Sequence, residues 1–236
     1  MHPLRHALVL FVISAMALSL TPRDVAFHEA SIAFLGDSLT LGANASTPSK
    51  TFVSLVTGFI DERSSDEQRS EFLSFDPLTD ANVAAQAMQH NRRFVIIEFG
   101  VHAAIDESIS PDQFRQIYGS ILDCVTGDGT IVIAGTVPWL GWAAITPTYE
   151  RADLFSQIIA QEAAKRQVAV ADLWNATKLR LNLISTPQER TFLGVGHGDN
   201  LHPNDAGHAV IAKTYEDVLA VELANPPNRT FQRQCH

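Results

Sequence analysis

Short apolar runs alternate with amphipathic segments along most of this sequence. Buried strands are predicted at residues 31–35, 94–100, 130–137 and 168–173, and a further strand is predicted at residues 71–75, because these short apolar runs contain β-branched or aromatic residues. A helical period follows each run, at residues 48–60, 81–90, 111–122, 147–166 and 205–223. Such alternation, with nearly continuous apolar strands, is typical of a parallel sheet covered by helices on both faces. The pattern therefore predicts an α/β fold, a three-layer α/β/α sandwich with a central parallel sheet.

Composition favours one globular domain and argues against a nucleic-acid partner. The chain has 236 residues, 46% of them hydrophobic, which is enough to bury a substantial core. The formal net charge is −9 and the few Lys and Arg residues are scattered, so we expect no nucleic-acid partner. This charge permits a neutral or cationic small-molecule substrate.

The N-terminus resembles an export signal. Arg5 precedes an almost wholly apolar stretch at residues 7–20, which is short for a membrane span. We expect a signal peptide at residues 1–20, a folded domain at residues 21–225 and a polar tail at residues 226–236. Secretion without a stable membrane span is the prediction, and an uncleaved signal anchor is the alternative.

A candidate nucleophile follows the first predicted strand. Gly36 allows a tight turn there, and the Asp37-Ser38 pair suits the first positions of a helix. A serine at such a junction presents its hydroxyl at the carboxyl edge of the sheet, with its own N–H available to an oxyanion. The alternative is an ordinary strand–turn–helix junction with a capping serine.

A candidate base lies far downstream. Asp199 stands three residues before His202, a spacing that allows the carboxylate to orient the imidazole over a distant serine. A metal site built from His197, Asp199 and His202 is the alternative, but the pattern is better explained by a catalytic triad. His208 lacks this spacing and is expected to be a surface or helix-start residue.

Together the two motifs resemble a known superfamily. Gly36-Asp37-Ser38-Leu39 is similar to the first block of the SGNH (GDSL) hydrolases, and Asp199-x-x-His202-Pro203 is similar to their last block. The resemblance implies a flavodoxin-like fold and hydrolysis of carboxylic esters by a triad of Ser38, Asp199 and His202. It implies neither a cofactor nor a metal ion.

The middle blocks depart from the superfamily pattern. Its third block, Gly-x-Asn, corresponds here to Gly100-Val101-His102, so a histidine replaces the asparagine that donates to the oxyanion. An imidazole N–H is able to donate in the same direction, so we expect His102 and the Ser38 N–H to form the oxyanion hole. A purely structural role for His102 is the alternative. The second-block glycine is also missing, which leaves a backbone N–H such as that of Ala84 or Ala85 as a further candidate donor.

The substrate is less well specified than the reaction. Trp139 and Trp142 follow the fourth strand and are candidate substrate-binding residues for a sugar or an acyl group. Short-chain acyl esters and carbohydrate O-acetyl esters are the predicted substrates. One alternative is a non-catalytic glycan or cell-wall binding domain with an incomplete oxyanion hole. Another is a flavodoxin-like nucleotide binder, which leaves the Asp199-x-x-His202 motif unexplained.

Cysteine usage leaves two alternatives open. Cys124 and Cys235 are the only cysteines, and they form either one disulfide that ties down the C-terminal tail or two separate thiols. Three N-glycosylation sequons begin at Asn44, Asn175 and Asn228. A glycan on Asn44 would crowd the predicted site.

Overall fold

A computed structural model of the chain describes residues 32–63, 70–74, 82–89, 92–127, 129–138, 146–182, 202–226 and 235. Within these ranges the strands are β1 (Ile32–Gly36), β2 (Ser70–Ser74), β3 (Phe94–Glu98), β4 (Ile131–Gly135) and β5 (Ala169–Ala171). The helices are α1 (Phe52–Asp61), α2 (Val83–Ala87), α3 (Val101–Ile105), α4 (Pro111–Val125), α5 (Thr146–Lys165), α6 (Leu173–Asn182) and α7 (Asp205–Ala224), and a short 3-10 helix (Pro48–Lys50) precedes α1. None of the helices described is both long enough and apolar enough to cross a membrane.

The strands form one parallel sheet in the order β2-β1-β3-β4-β5. The chain runs outward from β1 to β2 and then crosses back to β3, so the topological switch point lies between β1 and β3. Ligands of such sheets bind beyond the carboxyl ends of the strands at this point. The register pairs Gly36 with Glu98, which places the residues after β1 beside those after β3. The predicted α/β/α sandwich is confirmed.

Two apolar layers cover the sheet, one on each face. Side chains alternate along β1, so Ala33 and Leu35 enter one layer while Ile32 and Phe34 enter the other. Helices α2, α3, α4 and α5 contribute to the first layer, and α1 and α7 contribute to the second. The site described below lies at the edge where both layers end.

Most predicted elements are present, but two short helices were missed. Five residues of α3 are too few to show a helical period, and α6 begins at Leu173, which the sequence pattern placed in the last strand. Strand β5 ends earlier because Asp172 starts the helix: its side chain accepts the Asn175 N–H at 3.1 Å. The final strand is therefore only three residues long.

The two cysteines are bonded to each other. Cys124, near the end of α4, forms a disulfide with Cys235. Of the two alternatives that the sequence left open, the structure has the bridge, which ties the end of the chain to α4.

Candidate active site

Ser38 lies at the carboxyl edge of the sheet, two residues after β1. The chain passes so close to β3 here that a Cβ on Gly36 would lie 2.0 Å from Thr40 Oγ1 and 2.2 Å from the Glu98 carbonyl oxygen. Glycine is therefore required for space, and its backbone is not in the left-handed region. This close approach fixes where the serine leaves the sheet.

The backbone after Ser38 forms turns, so the helix start predicted at this serine is wrong. The Leu41 N–H donates to the Asp37 carbonyl at 3.1 Å, and the Ala43 N–H donates to the Ser38 carbonyl at 3.0 Å. Gly42 (φ 82°) and Asn44 (φ 68°) then adopt left-handed conformations, which a helix does not contain. The Ser38 N–H consequently has no long helix behind it to add a positive dipole.

His202 meets Ser38 directly. Its Nε2 lies 2.8 Å from Ser38 Oγ, although 164 positions separate the two residues. The imidazole stands just before α7, whose start is fixed by Asn204: the Asn204 side chain accepts the Ala206 and Gly207 N–H groups, each at 3.1 Å. With Nε2 accepting from the hydroxyl, the pair has the geometry of a nucleophile and its general base.

Several predicted site residues lie outside the described residues. These are Asp199, the predicted orienting carboxylate, Trp139 and Trp142, the predicted substrate-binding residues, and His197, which the metal alternative requires. Their assignments remain predictions.

His102 lies on the neighbouring strand connection, in the first turn of α3. Its side chain is exposed, and Gly100 immediately before the helix has φ 135°, where a Cβ would lie 2.8 Å from Val137 Cγ2. Burial raises the pKa of Asp37, and His102 and His202 both lie near enough to its carboxyl to oppose that rise electrostatically. The structure therefore brings these two imidazoles to the same end of the sheet, around the residue that precedes Ser38.

Arg151 on α5 holds the far end of α3. Its Nε donates to the Ala104 carbonyl at 3.0 Å, and its Nη2 lies 2.8–2.9 Å from the carbonyl oxygens of Ala103, Asp106 and Ile109. One guanidinium thus satisfies carbonyls at the C-terminal end of the helix and in the following loop. The backbone that carries His102 is fixed by this side chain.

Two acids lie buried beneath the site, and their burial was not predicted from the sequence. Asp37 is 5% exposed and Glu98 is 1% exposed. Burial raises the pKa of Asp37, while burial and then repulsion by Asp37 raise the pKa of Glu98 well above its usual value. Thr40 Oγ1 donates to Glu98 Oε2 at 3.1 Å. For Glu98 the sequence did contain a signal of burial, because this acidic residue ends an otherwise apolar strand.

Three other residues considered from the sequence lie within the described part of the chain. His208 is in the first turn of α7, as a helix-start residue, but it is fully buried and is not a surface residue. Its Nδ1 accepts the Phe52 N–H at 3.3 Å and its Nε2 lies 3.2 Å from the Ala43 carbonyl, and burial lowers its pKa. Ala84 and Ala85 are in the first turn of α2, where Asn82 makes no side-chain cap.

Comparison with known proteins agrees with this geometry. The sequence profile of the GDSL-like Lipase/Acylhydrolase family matches residues 34–210, which span the serine and the histidine. Comparison with curated proteins gave no match.

Solved structures with the same fold include several esterases and lipases. The lipase/acylhydrolase from Enterococcus faecalis superposes with a TM-score of 0.62 at 18% identity, covering 86% of this chain and 100% of that chain. A variant of Axe2, an acetyl xylan esterase from Geobacillus stearothermophilus, gives 0.60 at 17% identity over 80% and 93% of the two chains. A two-domain esterase active on acetylated mannans gives 0.59 at 20% identity, over 85% of this chain and 52% of that one.

Proposed function

Because the chain belongs to the GDSL-like lipase/acylhydrolase family and is therefore an ester hydrolase, we propose that it works through an acyl-enzyme on Ser38. The observation that carries this proposal is the 2.8 Å contact between Ser38 Oγ and His202 Nε2. That distance lies within the range for a hydrogen bond between a nucleophile and its base.

The reaction then has two halves. Ser38 Oγ attacks the ester carbonyl carbon while its proton moves to His202 Nε2, and the tetrahedral anion collapses as the alcohol leaves with that proton. Water next attacks the acyl-enzyme, giving one proton to His202, and collapse of the second anion returns a proton to Ser38 as the acid departs. Asp199 is assigned to hold the other ring nitrogen of His202.

Charge on the two tetrahedral anions needs hydrogen-bond donors. The Ser38 N–H and the His102 imidazole are assigned this role, because both follow the carboxyl ends of the adjacent strands β1 and β3. His102 stands two residues after Gly100, where the Gly-x-Asn block has its asparagine. This position supports a role for the imidazole N–H as the donor in place of the asparagine amide. The effect of its removal is treated as a prediction below.

The substrate class is proposed to be short-chain acyl or carbohydrate O-acetyl esters. Two proteins with this fold are an acetyl xylan esterase and an esterase active on acetylated mannans. Trp139 and Trp142 are assigned to bind the sugar or the acyl group. Neither a metal ion nor a cofactor is part of this mechanism.

Export is the proposed location. Arg5 and the apolar residues 7–20 support a cleaved signal peptide, and an extracytoplasmic location also suits the Cys124–Cys235 disulfide. N-terminal sequencing of protein from its native host tests this. A first residue at positions 18 to 21 agrees with cleavage, whereas an intact Met1 on cytosolic protein contradicts export.

Hydrolysis of p-nitrophenyl acetate by the mature chain tests the proposed reaction. Ser38→Ala is expected to lower kcat by about 10⁴–10⁶-fold, as loss of a triad nucleophile does. Ser120→Ala, on the exposed face of α4, is the matched control and should retain parent activity. A fluorophosphonate should label Ser38 of the parent protein. A parent protein that stays unlabelled at Ser38, together with parent activity in Ser38→Ala, would overturn the assignment.

A further inference from the structure

Two distant segments meet directly around the serine and histidine. We define the contact region as residues 43–52 together with residues 202–208. Six hydrogen bonds join its two segments: Asn44 Nδ2 to the His202 carbonyl, the Ser46 N–H and Oγ and Lys50 Nζ to the Asp205 carboxylate, the Phe52 N–H to His208 Nδ1, and His208 Nε2 to the Ala43 carbonyl. The segments lie at opposite ends of the domain's sequence, so these bonds fix their relative position.

One of these bonds reaches the catalytic histidine itself. Asn44 Nδ2 donates to the main-chain carbonyl of His202 at 3.1 Å. On its other side, the same loop is bonded to the serine, since the Ala43 N–H donates to the Ser38 carbonyl at 3.0 Å. The contacts thus form a closed ring that runs from Ser38 through Ala43 and Asn44 to His202, and returns from the imidazole to Ser38 Oγ.

A second bond set fixes the backbone three residues after the histidine. Asp205 accepts the Ser46 N–H, the Ser46 hydroxyl and Lys50 Nζ, all at 2.7 Å. Donation by Lys50 and Ser46 holds the pKa of Asp205 well below its usual range, so this carboxylate stays ionised. Asp205 therefore anchors the start of α7, while Asn44 is the member that touches the histidine residue.

We propose that Asn44 is a positioning residue, whose amide holds the His202 backbone so that the imidazole approaches Ser38 at hydrogen-bond distance. The inference rests on the proposed function, in which Ser38 is the nucleophile and His202 is its base. It adds a residue that neither motif contains. Asn44 also suits its own backbone, because asparagine tolerates the left-handed φ of 68° better than most residues.

The test uses two variants that separate the hydrogen bond of the Asn44 amide from the left-handed backbone conformation of this residue. Asn44→Gly keeps the left-handed conformation available and removes the amide. Asn44→Asp keeps the shape and the turn preference but places a carboxylate oxygen, which accepts and does not donate, against the His202 carbonyl. Asn225→Ala is the matched control, because it removes a similar exposed amide that bonds to the Val221 carbonyl at 3.4 Å, outside the contact region.

Asn44→Gly should lower kcat for p-nitrophenyl acetate by about twofold to tenfold, the fold-change that corresponds to one hydrogen bond. Asn44→Asp should lower it further, because two acceptors then face each other. KM should stay within about twofold for both. The rate of Ser38 labelling by a fluorophosphonate should fall in parallel with kcat, since that reaction needs the same serine–histidine alignment. Asn225→Ala should match the parent in every measurement.

A structural role alone gives a different result. If both Asn44 variants lose thermal stability but keep parent kcat and parent labelling rate, the positioning role is wrong. Failure of this inference can be distinguished from failure of the proposed function. If the proposed function is wrong, the activity of the parent protein will not depend on Ser38. Parent protein with Ser38-dependent activity and unaffected Asn44 variants would overturn this inference alone.

Discussion

The two sides of the active site are held in different ways. On the base side, His202 is placed by several polar side chains that join residues 43–52 to residues 202–208. On the other side, which we propose to bind the oxyanion and call the oxyanion side, His102 sits on a five-residue helix. The side chain of Arg151 bonds two carbonyls of this helix and others in the loop after it. Support is distributed on the first side and concentrated on the second.

The difference matters for how each side responds to substitution. Removing one member of a distributed set leaves the others in place, so loss of the Asn44 amide alone should misalign His202 only partly, in line with the fall in kcat of about twofold to tenfold expected for Asn44→Gly. Removing Arg151 leaves several carbonyl oxygens without their donor at once, and unsatisfied polar groups in partly buried positions are costly. We therefore expect the oxyanion side to be the more sensitive to a single change in its supporting residues.

The largest effect that tests this comparison concerns His102 itself. His102→Ala should lower kcat by about 10²–10³-fold, the usual loss for one oxyanion donor, with little change in KM or in melting temperature. His102→Asn should recover part of the activity, because an amide N–H donates from the same position. Steady-state kinetics with p-nitrophenyl acetate and thermal melts provide the measurements.

The competing role for His102 gives the opposite pattern. A structural histidine would make both variants less stable, while the folded fraction kept near-parent activity. Parent turnover in a stable His102→Ala protein would mean that this side of the site contributes no side-chain donor.

A smaller effect is expected when the support of α3 is removed. Arg151→Ala should lower kcat about tenfold, because His102 loses its fixed backbone, and should lower the free energy of unfolding by about 2–3 kcal/mol through lost charged hydrogen bonds. Arg151→Lys should recover only part of both, since an ammonium group does not span the same carbonyls. Activity and denaturant unfolding should be compared with Arg115→Ala, whose guanidinium bonds to Gln161 and Glu162 instead. Equal kcat in Arg151→Ala and Arg115→Ala would show that the oxyanion side does not depend on the support of Arg151.

Substitution of Glu98, the buried acid beneath both sides, is expected to have the smallest effect on activity but a clear effect on stability. The pKa of Glu98 is raised in the folded protein, so the folded state keeps its proton at pH values where the unfolded state loses it. Stability due to this group is therefore complete below the usual glutamate pKa and declines as pH rises towards the folded value. Asp37, whose pKa is also raised, acts in the same direction.

Glu98→Gln removes the part of this pH dependence that is due to Glu98. As the pH is raised from 5 to 8, the melting temperature of Glu98→Gln should rise relative to that of the parent, because only the parent loses the stability due to protonated Glu98. Glu107→Gln, at an exposed position after α3, is the matched control and should follow the parent curve. Melting curves of parent and Glu98→Gln that stay parallel across this range would contradict an ionisation cost at Glu98.

The sequence specified the proposed reaction centre better than its surroundings. Ser38 and His202 were identifiable because each stands in a short local motif, and the parallel sheet gave a reason for their meeting. Asn44 and Arg151 were not identifiable, because their partners are backbone carbonyls 42 to 158 positions away, and a carbonyl carries no sequence signal. The helix start predicted at Ser38 failed for a related reason: left-handed residues at positions 42 and 44 turn the chain towards the histidine segment.

The disulfide has a consequence for the unfolded chain. Cys124 and Cys235 are 111 positions apart, and the loop that they close includes His202 and Arg151 but excludes Ser38. In the chain-entropy model, closing a loop of this length disfavours the unfolded ensemble by about 4–5 kcal/mol. Under oxidising conditions an unfolded molecule therefore keeps its histidine segment within a loop closed at Cys124, whereas in a reducing compartment the same segment is free to explore a much larger volume. The serine is carried on the open part of the chain in both cases.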